Sequence, residues 1–172
     1  MSAPQGNFNI IKDNLFVNQR PTRLVVALVD SSAFNGNYSQ SPFEFKHYKI
    51  NSLALYLDGQ QIPTKALKPD FVNKNYARSY LSLLKGTGSA WKDTGNSITY
   101  DAYGEGYTMF CFDLSPSLTD GDMVEPLKTG SLRLEINMKE PLENPIHIIL
   151  YAQMDSCIEI DRSRQVMVDS TA

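Results

Sequence analysis

The sequence predicts an all-β fold: an antiparallel β-sandwich of jelly-roll type with about eight strands and one short helix. Three observations carry that prediction. Apolar runs and alternating segments of strand length recur along the 172 residues. The connections between them are rich in Gly, Pro, Asn and Ser, the residues of turns and loops. Neither a βαβ rhythm nor a repeat of fixed period is present, which sets aside parallel sheets and solenoids. A chain of this length forms one domain and buries about two thirds of its unfolded surface without staples.

After a polar start around Ile10 and Ile11, RLVVALVD (23–30) is a continuous apolar run, the mark of a strand buried on both faces. SSAFNGNYSQSP is a loop by composition. FEFKHYKINSLALYLDG reads as two strand-like pieces, the second with Leu53, Leu55 and Leu57 alternating. Asp58-Gly59 marks a tight reversal, since glycine tolerates the positive φ of hairpin turns, and a further extended segment follows. The helical signal is NYARSYLSLLKGTG. There Tyr76, Tyr80, Leu83 and Leu84 fall at i, i+4, i+7 and i+8 and Gly86 stands where a C-cap is wanted, which predicts a helix over 75–85 lying across an open end of the core. Trp91, in the next loop, is expected as a plug on the core edge.

ITYDAY and YTMFCFDL read as strands, and SPSLTDGDMVEPLKTG as a long polar loop. SLRLEINM alternates, placing Leu132, Leu134, Ile136 and Met138 inward and Arg133, Glu135 and Asn137 outward. The stretch 146–162 keeps an apolar even face while its odd face turns from apolar to acidic. At ~3.3 Å per residue it would run to about 55 Å, too long for one straight strand, so a break is expected near Asp155 and Ser156. Residues 146–154 then close the barrel and Ile158 to Val168 leave it along an edge. The organisation expected is a tail over 1–13, a single jelly-roll domain over 14–156, and an edge segment with a tail over 157–172.

Composition excludes several functions. Hydrophobic residues at 42% and charged residues at 20% fit a folded globular protein, and sixteen basic against nineteen acidic residues give a net charge of −3. With no block of like charge, neither nucleic acid nor a membrane surface is implied as a partner. No apolar stretch approaches the ~20 residues of a membrane-spanning helix, and the N-terminus lacks the pattern of a signal peptide. Cys111 and Cys157 lie in apolar runs and are expected as buried thiols in a reducing compartment.

No catalytic constellation emerges. His47 and His147 lack HxH, HxxxH or HExxH partners, so sheet-surface histidines are expected and no metal is assigned. Gly86-Thr87-Gly88 follows a helix and lacks the lysine of a phosphate loop. Asp120, Asp122 and Glu125 do not fit a calcium loop. A carboxylate pair for glycoside chemistry could meet only in space. No cofactor and no enzyme activity are therefore assigned.

Several long stretches, "NLFVNQRPTRLVVALVDSSAFNGNY", "PFEFKHYKINSLALYLDGQQIP", "GYTMFCFDLSP" and "GSLRLEINMKEPL" with "IILYAQMDSCIEIDRSRQV", resemble the C-terminal part of the major capsid proteins of Polinton (Maverick) elements and the related adintoviruses. The likeness runs from about Asn14 to Asp169. It implies the second barrel of a double jelly-roll protein of the adenovirus hexon lineage, or a single-barrel relative. Such proteins form trimeric capsomers that tile an icosahedral virion, so other capsid subunits are the implied partners. The family offers no catalytic motif to carry over. The residues expected to make assembly contacts are Tyr151, Gln153, Glu159, Asp161, Arg162 and Arg164, since mixed charge at a strand end fixes partner register. The alternative for the same residues is a solvated edge that blocks strand-to-strand aggregation. A jelly-roll module that binds a glycan or host surface through Trp91 and loop tyrosines is the competing function.

Overall fold

The computed structural model of the chain describes residues 1–16, 19–93, 95–115, 130–154 and 158–168. Eight strands build two antiparallel four-stranded sheets: β1 (Ser2–Ala3), β2 (Asn9–Lys12), β3 (Arg23–Asp30), β4 (Ile50–Leu57), β5 (Gln60–Leu67), β6 (Met109–Asp113), β7 (Leu132–Met138) and β8 (Ile146–Gln153). One sheet has the order β1-β8-β3-β6 and the other β2-β7-β4-β5. The pairs β1·β8, β2·β7, β3·β6 and β4·β5 are those of one long antiparallel hairpin with its tip between β4 and β5. Rolling that hairpin adds the pairs β3·β8 and β4·β7 and closes the jelly roll.

The tip of the long hairpin is the predicted Asp58-Gly59 turn. Both residues have positive φ, 49° and 81°, as a two-residue type I′ turn demands. Asp58 Oδ1 also accepts from the Ser131 amide at 2.8 Å, tying the tip to the start of β7.

Side-chain alternation sets what lies between the sheets. Leu24, Val26 and Leu28 of β3 meet Leu53 and Leu55 of β4, Phe110 and Phe112 of β6, and Leu132, Leu134 and Ile136 of β7, all buried. The inward set of β7 and the two buried leucines of β4 are those the sequence pattern predicts. β3 is apolar on its outward side too, and that side needs a cover. The helix α2 (Ala77–Gly86) supplies part of it by lying on the outer face of the β3·β6 pair. There Tyr76, Leu83, Tyr103 and Cys111 form a second buried cluster, with Val25 and Met109 packed against it. The helix thus covers a sheet face, not an open end of the barrel as the sequence was read to imply.

Gly86 also has a different task from the expected C-cap. A Cβ there would sit 2.3 Å from Cys111 Sγ and 2.9 Å from Cys111 Cβ, so only glycine lets the last turn of α2 come down onto β6. The left-handed residue that ends the segment is Gly88, with φ 70°.

Five further expectations are corrected. Residues 1–13, read as a tail, contribute two edge strands: Ser2 and Ala3 pair with β8, and Asn9 to Lys12 with β7. ITYDAY contains the short helix α3 (Tyr100–Gly104), because Thr99 Oγ1 accepts from the Ala102 amide at 3.2 Å and this cap outweighs the β preference of the flanking residues. SSAF, read as loop, is a single helical turn, α1 (Ser31–Phe34), capped by Asp30. FEFKHYK forms only an isolated bridge from Phe45 to Tyr107, since Tyr48 and Lys49 both take positive φ and interrupt the extended run. Trp91 is no plug: it ends a 3₁₀ turn (Ser89–Trp91) and is 85% exposed.

The expected break at Asp155 and Ser156 lies outside the described residues, as do Cys157, Asp120, Asp122 and Glu125. On either side, β8 ends at Gln153 and the chain resumes as β9 (Ile158–Ile160), which pairs with β10 (Val166–Val168) in a separate two-stranded hairpin.

Candidate assembly surface

β8 carries the first two of the sequence-predicted contact residues. Its even positions, Ile146 and Ile148, are buried, while Leu150 and Ala152 are partly buried against the same core. Its odd positions therefore face outward. Tyr151 lies opposite Val25 in the register and is 64% exposed, an apolar ring presented to solvent on the outer face of the sheet. Gln153 is exposed but engaged. Its carbonyl accepts from the Thr22 amide at 2.9 Å, and its Oε1 accepts from Arg23 at 3.1 Å. That side chain pins the start of β3 at the end of the ladder.

The other four predicted residues fall in the β9–β10 hairpin. Glu159 pairs through its backbone with Met167. Asp161 opens the turn, and its carboxylate accepts from Ser163 Oγ at 2.6 Å and from the Gln165 amide at 2.9 Å. Those bonds hold the Asp161 carboxyl below the usual aspartate range, Ser163 contributing most. With Asp161 bonded within the turn, Arg162 and Arg164 are exposed at the tip, Arg164 in the left-handed region at φ 64°.

Sequence reasoning looked to the charges of this segment, yet its main feature is apolar. Ile158 and Ile160 share one face, Val166 lies opposite Ile160, and the three are 60–70% exposed. Three β-branched side chains on one face of so short a hairpin form an apolar patch that the described residues leave largely exposed.

A cleft of about 400 Å³ opens where the loop before β4, the end of α3 and the β7–β8 connection converge. Its lining includes the carboxylates of Asp30, Glu44, Glu105, Glu140 and Glu143. Lys46 pairs with Glu44 at 3.4 Å and Lys49 with Glu140, which leaves the lining acidic. His47 stands beside them, stacked on Phe71 at 4.3 Å, with Nδ1 accepting from the Lys49 amide at 2.9 Å. Burial first, and the Lys49 charge second, lower its pKa and favour the neutral ring. The cleft gathers residues from separate segments, so no sequence spacing could have revealed it. Glu44 and Glu140 are each about half exposed and held by lysine, a setting without the desolvation that distinguishes a glycosidase acid.

Two further reactive groups, His147 and Cys111, are engaged in packing. His147 Nδ1 lies 2.9 Å from Ser31 Oγ, and its ring stacks on Phe34 at 4.3 Å. Cys111 is buried beneath α2, which pushes its thiol pKa up to about 11 and keeps it protonated. Among the described residues no three His, Cys, Asp or Glu side chains are grouped as metal ligands. No described helix is long and apolar enough to cross a membrane.

No family model matches the sequence. The chain is 31% identical over 170 residues to an uncharacterized protein of Caenorhabditis elegans, F54H12.2, an alignment that takes in 96% of this chain and 40% of that protein. It therefore spans well under half of that relative's length. Among solved structures, it is similar to a chain of the Sputnik virophage determined by cryo-electron microscopy at 3.5 Å. The TM-score is 0.53 at 15% identity, with 98% of this chain and 36% of the virophage chain covered. At that identity the likeness is one of fold, and the fold is an antiparallel jelly roll.

Proposed function

We propose that the chain is a capsid-type jelly-roll unit that acts by repeated contacts with other subunits, in the manner of the second barrel of a double jelly-roll major capsid protein of the Polinton and adintovirus kind. One observation carries this reading above the rest: a complete eight-strand jelly roll that aligns over 98% of its length with about a third of a virophage chain. The 40% share of the nematode relative accords with a barrel belonging to a longer subunit. The exposed apolar face of the β9–β10 hairpin and the exposed Tyr151 ring supply surfaces for such contacts. On this reading the unit works in the virion, assembled with further copies into trimeric capsomers, and its chemistry is that of complementary surfaces.

Negative-stain electron microscopy of the protein in its full natural length is the test. Trimeric particles of pseudohexagonal outline are expected. Dispersed single subunits under all conditions would count against the reading.

A second reading has one observation in its favour. Trp91 is 85% exposed, available as an aromatic platform for a glycan. Trp91→Ala would then abolish binding on a glycan array without changing stability, and an array showing no binding by the parent protein would remove this reading.

A further inference from the structure

Two-stranded hairpins are marginal in water unless something covers them, and β9–β10 has three residues in each strand. Its apolar face, formed by Ile158, Ile160 and Val166, is 60–70% exposed. The four edges of the barrel offer little for strand addition. β1 and β2 have two and four residues, β5 carries Pro63 and Lys65, and β6 lies beneath α2. The hairpin thus calls for a side-chain surface with room for an apolar patch next to a basic tip.

The barrel carries a surface of that complementary pattern. In the acidic cleft Asp30, Glu105 and Glu143 stand outside the Lys46–Glu44 and Lys49–Glu140 ion pairs, Glu143 sharing the field of Lys49 and Asp30 also capping Ser32. Beside it stand two exposed aromatic rings, Phe43 at 73% and Tyr107 at 51%. Phe43 precedes the cleft residue Glu44 in the chain, Tyr107 follows the cleft residue Gly106, and the Phe45–Tyr107 bridge holds the two segments together. Aromatics beside carboxylates match isoleucines beside arginines.

We propose that the β9–β10 hairpin of one copy docks on the cleft face of a second copy. Arg162 and Arg164 enter among the carboxylates, and Ile158, Ile160 and Val166 pack against Phe43 and Tyr107. Guanidinium is suited to the task, because its planar fork can bind two carboxylate oxygens at once. Asp161 keeps its charge but commits its oxygens within the turn, to Ser163 and the Gln165 amide, so the two arginines with one carboxylate leave the tip with a net positive charge among its described side chains. Such a contact joins two different patches, so it is head-to-tail and produces a closed ring wherever its rotation allows. The proposal rests on the assembly reading for its choice of partner, a second copy of this chain.

Charge reversal tests it on the 172-residue chain, read by sedimentation velocity at low and high salt. The parent chain is expected to self-associate, more strongly at low salt. R162E/R164E and E105K/E143K should each sediment as monomers, while their equimolar mixture should associate again, because each then meets the complementary partner. Circular dichroism of the two variants checks that both keep the parent fold. A monomeric parent chain, including one whose hairpin docks on its own barrel, would overturn the proposal. So would association unchanged by R162E/R164E, or a mixture that stays monomeric. Failure here with trimeric particles still formed by the full-length protein would remove the hairpin contact and leave the capsid reading standing.

Discussion

At the scale of single residues, the fold depends on contacts in which one atom decides the outcome. Gly86 is the clearest. A methyl group there collides with Cys111 Sγ and Cβ, both part of a strand fixed in the sheet, so relief requires lifting the end of α2. Gly86→Ala should destabilise the protein by about 1–3 kcal/mol despite the better helix propensity of alanine. Cys111→Ala in the same background should restore part of the loss by removing the Sγ contact. Urea unfolding of the single and double variants measures both effects. Cys111 also makes a pH prediction. Burial raises its folded pKa from 9.0 to about 11, so the folded state prefers the protonated thiol. Its contribution to stability is complete below pH 9 and is lost as pH rises toward 11. The buried tyrosine Tyr103, also raised by burial, titrates in the alkaline range as well. The diagnostic is therefore the difference: Cys111→Ala should lose less stability than the parent between pH 9 and pH 11.

At the scale of elements, periodicity was legible wherever an alternating pattern met a sheet with one face on the core. β7 is the plainest case: its inward Leu132, Leu134, Ile136 and Met138 could be named from alternation alone. The Asp58-Gly59 turn was legible for the same kind of reason, since few residue pairs accept two consecutive positive φ values. Gly59→Ala should cost about 1 kcal/mol by placing a Cβ in the left-handed region, visible as a lower midpoint in thermal unfolding. The helix α3 was hidden, because Ile98 and its tyrosines advertise a strand while the deciding feature is one hydroxyl, that of Thr99. The edge strands β1 and β2 were hidden because two to four residues show no period. The exposure of Trp91 was illegible too: tryptophan is usually buried, and the 3₁₀ turn that turns it outward leaves no mark in a pattern of apolar residues. The six predicted contact residues fall on two elements. Tyr151 and Gln153 end β8, whereas Glu159, Asp161, Arg162 and Arg164 belong to the separate hairpin.

At the scale of the whole molecule, the pairings follow one rule: eight strands matched first with last, second with seventh, third with sixth and fourth with fifth. That nesting leaves β9 and β10 outside the two barrel sheets, paired among the described residues only with each other. It also brings the loop before β4, the end of α3 and the β7–β8 connection together at the acidic cleft, a grouping that exists only in space. The exposed apolar hairpin is the feature on which the proposed role in association rests. The most direct measurement of that claim is the mass of the full-length protein by size-exclusion chromatography with light scattering across a range of concentrations. The account predicts a trimer that persists on dilution. A strict monomer at the highest attainable concentration would contradict it.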